Sequence, residues 1–241
     1  MYEKLATFYD TFMNDVPYDK WTEYLASFLS NKKSGVDVGC GSGKFTINLL
    51  KRGYHITGCD ISAEMLSKAY ENAQKEGVKA TFSLQSALSF KTARPIDFVL
   101  ASCDVVNYLA NPLGFFKSAY KALKDDGVLI FDISSEYKLK NILANNVFTE
   151  STPFVTYIWE NFLSKNCVDM RLTFFEKTTE DLYSKSTEEQ TQYIFTQEKL
   201  TEMLTAVGFN KIEKYGFLSK SAPQKNEERI HFVAYKGVQN D

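Results

Sequence analysis

The chain of 241 residues is poor in metal-binding side chains, with two histidines and four cysteines. Cys40, Cys59, Cys103 and Cys167 lie far apart and form no CxxC pair, so the sequence does not predict a structural zinc site. Cys40 and Cys59 fall in or beside predicted buried strands, where a thiol behaves as a small apolar group. This use of cysteine indicates a reducing compartment, and we expect a cytoplasmic protein.

Long apolar runs are also missing. None approaches the roughly 20 residues that span a bilayer. The first twelve residues include Glu3 and Asp10 and have no cleavable apolar core, so they do not resemble a signal peptide. With a net charge of -2 and a pI near 5.8, the chain has no general attraction for nucleic acid or anionic membrane. We therefore expect neither as a partner.

Short apolar runs alternate with amphipathic segments through the first part of the chain. The predicted strands are residues 36–38, 56–59, 79–84, 96–101 and 128–133, and the predicted helices between them are 43–52, 62–76 and 111–123. Regular alternation of this kind indicates a parallel sheet with helices on both faces.

The pattern changes after Ile133. Aromatic and β-branched residues dominate 154–163, 168–175 and 190–195, which predicts an antiparallel meander. A helix over 197–207 and strands over 211–217 and 229–235 then resume the earlier pattern. We expect an α/β core of residues 1–150 and 196–241, with 151–195 inserted as a lid.

The predicted lid has more acidic than basic residues, which suits a small neutral or cationic substrate and argues against an RNA groove. Its seven acids are Glu160, Asp169, Glu176, Glu180, Asp181, Glu188 and Glu189, and its four bases are Lys165, Arg171, Lys177 and Lys185.

The stretch VDVGCGSGKF, residues 36–45, is the strongest motif. A dinucleotide fingerprint would need glycine or alanine at Lys44, and a phosphate loop would need glycine at Val38 and a hydroxyl at Phe45. What remains is a strand, a G-x-G-x-G loop and a helix. Such a loop lets the backbone approach a ligand closely at the carboxyl end of a strand.

DVGCGSG resembles the first motif of the class I S-adenosylmethionine-dependent methyltransferases. An acid after the second strand, SCDVVNYL over 102–109 and a closing pair of strands extend the likeness over nearly the whole chain. The chain is most similar to small bacterial members with an antiparallel insertion. The resemblance implies a Rossmann-like, seven-stranded, mostly parallel sheet whose last strand is antiparallel. It also implies S-adenosylmethionine as cofactor and methyl transfer to a nitrogen or oxygen of a small molecule.

Asp60 lies 21 positions after Gly39, at the end of the second predicted strand. An acid there can accept hydrogen bonds from both ribose hydroxyls. Helix capping is the alternative, but Ser62 suits the N-cap better and would leave Asp60 free. Ile61 and Met65 offer apolar surface to the adenine, although core packing explains Met65 equally well.

Relatives often carry an acid after the third strand that accepts from the adenine amino group. Here Ser86 stands in that place, and its hydroxyl is a weaker acceptor than a carboxylate. The backbone N–H of Ala87 could serve a ring nitrogen.

Methyl transfer from a sulfonium mainly requires alignment of the nucleophile and exclusion of water. Ser102, Asp104, Asn107 and Tyr108 are expected at the carboxyl end of the fourth strand, where open α/β sheets bind ligands. Asp104 would position or deprotonate the nucleophile as the only ionisable group in the wall, whereas Asn107 and Tyr108 could instead be a loop packing pair.

Tyr9, Tyr18 and Trp21 resemble the aromatic flap over the methionine end of the cofactor in insertion-bearing relatives. An amphipathic helix with core aromatics is the alternative. Together the predicted catalytic residues are Asp104 and Tyr9. The predicted cofactor contacts are Tyr9, Trp21, Gly39, Cys40, Gly41, Gly43, Asp60, Ile61, Met65, Ser86, Ala87 and Ser102, and the predicted substrate contacts are Tyr18, Asn107 and Tyr108.

The sequence lacks the Asn-Pro-Pro-Tyr and Pro-Cys motifs, which disfavours methylation of adenine or glutamine amino groups and of cytosine C5. Two other functions stay open. One is a non-catalytic protein that binds S-adenosylmethionine as a regulator, and the other is an NAD-type oxidoreductase, which Lys44 disfavours.

Overall fold

A computed structural model describes residues 10, 12–13, 15–179 and 182–237. Its helices are α1 Tyr18–Ala26, α2 Lys44–Lys51, α3 Ala63–Lys75, α4 Leu113–Ala122 and α5 Gln197–Val207. Its strands are β1 Ser34–Val38, β2 His55–Asp60, β3 Phe82–Leu84, β4 Ile96–Ala101, β5 Leu123–Ser134, β6 Val147–Ser151, β7 Val155–Leu163, β8 Cys167–Lys177, β9 Tyr183–Tyr193, β10 Lys211–Gly216 and β11 Arg229–Tyr235. A short 3₁₀ helix, Val105–Tyr108, follows β4, and a π-helix, Lys138–Leu143, follows β5.

The larger sheet has seven strands in the order β10-β11-β5-β4-β1-β2-β3. All its neighbouring pairs are parallel except those of β11, which runs antiparallel to both β5 and β10. The predicted Rossmann-like sheet, mostly parallel with an antiparallel last strand, is therefore confirmed.

Helices cover both faces of this sheet. Successive side chains of β4 pack alternately into the cores on the two faces. Phe98 and Leu100 pack into the core beneath α1 and α2, whereas Val99 and Ala101 pack into the core beneath α4 and α5. Because successive side chains of a strand point to opposite faces, a strand buried on both faces must be apolar throughout. The expectation of helices on both faces is confirmed.

The smaller sheet has four antiparallel strands in the order β6-β7-β8-β9. Strands β7 and β8 match the predicted meander closely. Strand β9 begins at Tyr183, earlier than expected, and β6 was not predicted. The first half of β9 and nearly all of β6 are polar or exposed, so pairing with β8 and β7 rather than residue propensity forms them. The division into a core and a lid at Ser151 stays a prediction, and Glu180 and Asp181 lie outside the described residues.

Helix boundaries follow local capping chemistry. Ser62 Oγ accepts a hydrogen bond from the amide of Met65 at 3.1 Å, and Thr196 Oγ1 accepts one from the amide of Lys199 at 3.2 Å. Each bond satisfies one of the amides that a helix start leaves unpaired. In the part of the chain that the structure describes, no helix is both long and apolar enough to cross a membrane.

Candidate active site

The G-x-G-x-G loop lies at the carboxyl end of β1, and its backbone is left-handed at each glycine. At Gly39, φ is +69° and an added Cβ would lie 2.6 Å from Cγ2 of Val105. The loop after β4 therefore packs directly on the glycine loop. At Gly41, φ is +53° and only the methyl carbon of Met65, at 3.2 Å, would approach an added Cβ. A side chain at Gly41 would therefore crowd Met65, and the contact of the Gly41 backbone with a ligand stays a prediction.

The hydrogen bonds of this loop separate two classes of ligand. The amides of Gly39 and Cys40 both donate to the carbonyl oxygen of Cys59, at 2.8 and 3.0 Å, and the amide of Gly41 donates to Oδ2 of Asp60 at 2.9 Å. A phosphate-binding loop needs such amides free. Among the described residues, no N–H donates to the carbonyl oxygen of Gly39. The loop is therefore better suited to a cationic group, such as the ammonium of a methionine moiety, than to a pyrophosphate.

Asp60 ends β2 beside this loop. Besides the bond from Gly41, its Oδ1 accepts the amide of Ser62 at 2.9 Å. The predicted N-cap role of Ser62 is confirmed, but the expectation that this leaves Asp60 free is wrong, because each carboxylate oxygen already accepts one amide. A carboxylate oxygen can accept a second hydrogen bond, so room for two ribose hydroxyls remains. Burial raises the pKa of Asp60, partly offset by these amides.

The predicted adenine side lies beyond Asp60. Ile61 is 67% exposed, an unusual degree for an isoleucine next to a buried strand, and Met65 is buried beside Gly41. Ser86 Oγ accepts the amide of Leu88 at 3.3 Å, and its hydroxyl proton remains available. Ala87 is half-buried against the core. The adenine contacts of these residues stay predictions.

The turn after β4 has unusual backbone geometry. Cys103 and Asp104 are consecutive non-glycine residues with φ of 63° and 52°. Their amides donate to the two carboxylate oxygens of Asp132 on β5, each at 2.9 Å. Such conformations persist where surrounding contacts hold them, and they occur preferentially at functional sites. Ser102, just before them, is buried, and its hydroxyl has no hydrogen-bond partner among the described residues.

Asp104 belongs to a buried ionic cluster. Arg229, the first residue of β11, donates from Nη1 to Oδ1 of Asp104 at 2.9 Å and also to Asp132. Gln192 of β9 donates to the other oxygen of Asp104. Burial alone would raise the pKa of Asp104, but Arg229 and Lys138, with the hydrogen bonds from Arg229 and Gln192, hold it below its usual value. The pKa of Asp132 is raised, because burial outweighs its contact with Arg229.

These contacts correct one expectation about the wall. Asp104 is not its only ionisable group, since Asp132, Arg229 and Lys138 surround it. A carboxylate with a lowered pKa is a weaker base, so the geometry favours positioning over proton removal. The catalytic role of Asp104 itself stays a prediction.

Asn107 is fully buried in the 3₁₀ helix. Its amide nitrogen donates to the carbonyl oxygens of Ser134 and Tyr193, at 3.2 and 3.0 Å, and its oxygen accepts the amide of Ser134 at 3.0 Å. It therefore joins β5 to β9, which matches the packing alternative, and its contact with substrate stays a prediction. Tyr108 is half-buried against the cluster between the π-helix and the small sheet. The alternative of a loop packing pair describes both residues.

Two described residues of the N-terminal segment, Asp10 and Phe12, contact the glycine loop with α3 and the small sheet respectively. Tyr9 lies outside the described residues, but Asp10 accepts hydrogen bonds from Ser42 Oγ and Asn72 Nδ2, each at 2.7 Å. Phe12 packs edge-on against Tyr157 of β7, with ring centroids 4.4 Å apart. Asp10 and Phe12 thus connect the glycine loop with the small sheet.

Trp21 of α1 is only 2% exposed. Its ring packs edge-on against Phe45 and Phe217, and the guanidinium of Arg229 lies 5.2 Å from the ring centre. Tyr18 also packs edge-on against Phe45, at 5.3 Å. These contacts match the alternative of core aromatics, although Trp21 Nε1 has no acceptor among the described residues. Contact with cofactor or substrate stays a prediction for both.

Sequence reasoning missed Asp132, Gln192 and Arg229. Asp132 had a usable signal, because it stands inside the apolar run VLIFDIS of a strand that must be buried on both faces. Gln192 and Arg229 had none, since polar residues near strand ends are common.

Comparison with known proteins identifies the class that this fold and loop define. A family model described as a methyltransferase domain matches residues 29–208. The chain belongs to this methyltransferase family and is an S-adenosylmethionine-dependent methyltransferase.

Three relatives illustrate the similarity. A Geobacillus sp. (strain WCH70) chain named as a methyltransferase is 33% identical, over 98% of this chain and 99% of its own. The crystal structure of an S-adenosylmethionine-dependent methyltransferase from Clostridium acetobutylicum ATCC 824 aligns with a TM-score of 0.88 at 30% identity, covering 98% and 99% of the two chains. A ubiquinone biosynthesis O-methyltransferase from Actinobacillus pleuropneumoniae serotype 7 (strain AP76) is 24% identical over 76% of this chain and 89% of its own.

Proposed function

We propose that this chain transfers the methyl group of S-adenosylmethionine to a nitrogen or oxygen atom of a small molecule. The observation that carries the proposal is the contact between the two sheets above the carboxyl end of β4. Gln192 donates to Asp104, and the carbonyl of Tyr193 accepts from Asn107 at 3.0 Å. A small sheet bonded this close to the strand ends supports a small acceptor, because it leaves little space for a macromolecule and would shield the reacting atoms from water.

The proposed cofactor position follows the loop contacts. The methionine end lies over Gly39 to Gly43, where the carbonyl oxygen of Gly39 can accept from its ammonium. The ribose hydroxyls donate to Asp60, and the adenine lies between Ile61 and the Ser86–Ala87 turn. This places the sulfonium toward the turn at Ser102 to Asp104, because Val105 packs directly on Gly39.

The chemistry needs alignment more than it needs a strong base. The nucleophile attacks the methyl carbon in line, the carbon–sulfur bond breaks, and its electron pair returns to sulfur to give S-adenosylhomocysteine. The acceptor atom, which carries a positive charge after attack, releases its proton to solvent as the product leaves. Asp104, held on both oxygens by Arg229 and Gln192, can orient an acceptor N–H or O–H while keeping its own charge. The name of the Actinobacillus relative, an O-methyltransferase of ubiquinone biosynthesis, supports a small acceptor with an oxygen nucleophile.

The proposal is tested by transfer of labelled methyl from S-adenosylmethionine to a panel of small amines, phenols and carboxylic acids, with bulk tRNA as a competing acceptor. We expect label in the small-molecule fraction and none in tRNA. Cofactor binding without transfer to any acceptor would instead support the non-catalytic alternative, and label in tRNA would overturn the small-molecule assignment.

The contact of Gln192 with Asp104 is tested by comparing two variants of β9. Gln192→Ala removes the bond to Asp104, so methyl transfer should fall about tenfold while S-adenosylhomocysteine affinity changes little. Gln190→Ala is the matched control, because Gln190 lies on the same face of β9 and its amide nitrogen has no acceptor among the described residues. Equal losses in both variants would show that the contact does not serve transfer.

A further inference from the structure

A cleft of about 510 Å³ opens beside the ionic cluster, between the π-helix and the segment that leads into β11. Lys138 and Arg229 line it together with Phe217, Gln224 and Asn226. Arg229 is the same residue that holds Asp104, so the cleft borders the proposed acceptor site.

Lys138 brings an unpaired ammonium to this cleft. Its Nζ makes no hydrogen bond or ion pair within the part of the chain that the structure describes, although the side chain is half-buried. By contrast, Lys140 in the same π-helix pairs with Glu136 at 2.6 Å. Burial and the nearby charge of Arg229 lower the pKa of Lys138, partly offset by the carboxylates of Asp104, Glu228 and Asp132. A half-buried cation beside another cation is costly unless an anion joins them.

Arg229 also has N–H groups that make no hydrogen bond to the described residues. Only Nη1 makes hydrogen bonds to described residues, and both go to the carboxylates of Asp104 and Asp132. Nε and Nη2 have no acceptor among those residues. A guanidinium fixed at one nitrogen and stacked over Trp21 presents its remaining donors in a fixed orientation, which suits a carboxylate or phosphate.

The acids around the cleft leave hydrogen-bond donors of both cations unpaired, although Asp104, Asp132 and Glu228 attract the ammonium of Lys138 at longer range. Asp104 and Asp132 are buried and already bonded to Nη1. Glu227 accepts the amide of Phe217 at 3.2 Å and is therefore engaged in the turn before β11. Glu228 is exposed at the rim, and it lies beyond ion-pair distance of Lys138.

We infer that this cleft is an anion subsite, in which Lys138 and the free donors of Arg229 hold a carboxylate or phosphate group of the methyl acceptor. The inference rests on the proposed function, because it assigns the anion to the acceptor. It also revises the expectation of a neutral or cationic substrate, which rested on the acids of the insertion and not on the residues that line the site.

The two tryptophans of the chain provide a direct readout. The indole N–H signal of Trp21 reports on Arg229, which lies over its ring, while Trp159 packs against Phe148 in the small sheet and serves as an internal reference. Sodium acetate or sodium phosphate is titrated into the ¹⁵N-labelled protein, with and without S-adenosylhomocysteine, and sodium chloride at equal ionic strength is the blank. We expect a saturable shift of the Trp21 signal with at least one of the two anions.

Variants assign the effect to Lys138. Lys138→Met should raise the anion concentration for half-saturation about fivefold or more, Lys138→Arg should keep it near wild type, and Lys140→Met should behave as wild type. A larger effect of acetate indicates a carboxylate acceptor, and a larger effect of phosphate indicates a phosphate ester. The subsite would be overturned if neither anion shifted the Trp21 signal more than sodium chloride does. It would also be overturned if Lys138→Met and Lys140→Met had the same anion concentration for half-saturation. If S-adenosylhomocysteine binds but neither anion does, only this inference fails. If S-adenosylhomocysteine does not bind, the proposed function fails, and the assignment of the anion to the methyl acceptor fails with it.

Discussion

Asp60 shows how one side chain shapes a loop and is expected to bind a ligand. Replacing Asp60 by Asn leaves one acceptor oxygen and removes the charge, so the affinity for S-adenosylhomocysteine should fall about tenfold, or about 1.4 kcal/mol. Isothermal titration calorimetry measures it directly. Asp97→Asn is the matched control, because Asp97 also accepts two backbone amides but at the opposite end of the sheet. Comparable losses in both variants would indicate a general loss of stability and not a ribose contact.

Asp104 allows the two roles of a carboxylate to be told apart. If it only positions the acceptor, Asp104→Asn should reduce the transfer rate about tenfold or less and leave the shape of the pH–rate profile unchanged. Loss of a general base would cost about a hundredfold or more and would remove one limb of that profile. The bonds from Arg229 and Gln192 favour the first result. The measurement is kcat against pH for both proteins, once an acceptor is known.

Asp37 in β1 is a buried carboxyl that accepts the hydroxyl of Thr46 at 2.7 Å. Burial raises its pKa to about 7, partly offset by Thr46 and reinforced by Asp60. Between about pH 4 and pH 7 the folded chain therefore holds a proton that the unfolded chain releases, so this group's contribution to stability falls as the pH rises.

Asp37→Asn removes that titration and keeps an acceptor for Thr46. The variant should gain free energy of unfolding relative to wild type as the pH rises from about 5 to about 8, by up to about 2.5 kcal/mol. Urea unfolding at both pH values tests it, with the fully exposed Asp125→Asn as control. Parallel pH profiles of Asp37→Asn and wild type would contradict the raised pKa.

At the scale of elements, the turn of the glycine loop and the turn after β4 are mutually dependent. Gly39→Ala adds a Cβ about 2.6 Å from Val105 in left-handed backbone, so it should cost about 1–3 kcal/mol of stability and displace both turns. Gly53→Ala is the matched control, because Gly53 is also left-handed, with φ of +80°, but the added Cβ would meet open space. Thermal unfolding and S-adenosylhomocysteine affinity are measured for both variants. A larger affinity loss in Gly39→Ala supports the coupling, and equal losses would refute it.

The helices and strands that could be predicted from sequence are those marked by residues within the element itself. Helix α5 and strands β4 and β11 match their predicted bounds, because apolar periodicity and caps such as Thr196 mark them directly. β6 and the start of β9 were missed, since their polar residues become strands only through pairing with β7 and β8. Within the site, the glycine loop and Asp60 carried sequence signals. The link from Arg229 to Asp104 spans 125 positions and depends on the closing strand reaching the far side of β5.

At the scale of the whole molecule, two sheets meet at one edge. The larger sheet brings the glycine loop, Asp60 and the turn at Asp104 to the carboxyl ends of its parallel strands, where α/β sheets bind ligands. The small sheet closes over that edge through Gln192 and Tyr193. On the proposed function, the cofactor binds at this edge of the larger sheet and the small sheet covers the acceptor.

The central claim is that this edge holds the cofactor. A crystal structure of the protein with S-adenosylhomocysteine tests it most directly. We predict the ribose hydroxyls within about 3 Å of the Asp60 carboxylate, the homocysteine end over Gly39 to Gly43, and the sulfur turned toward Ser102 to Asp104. Density for S-adenosylhomocysteine elsewhere, or with its ribose away from Asp60, would contradict it.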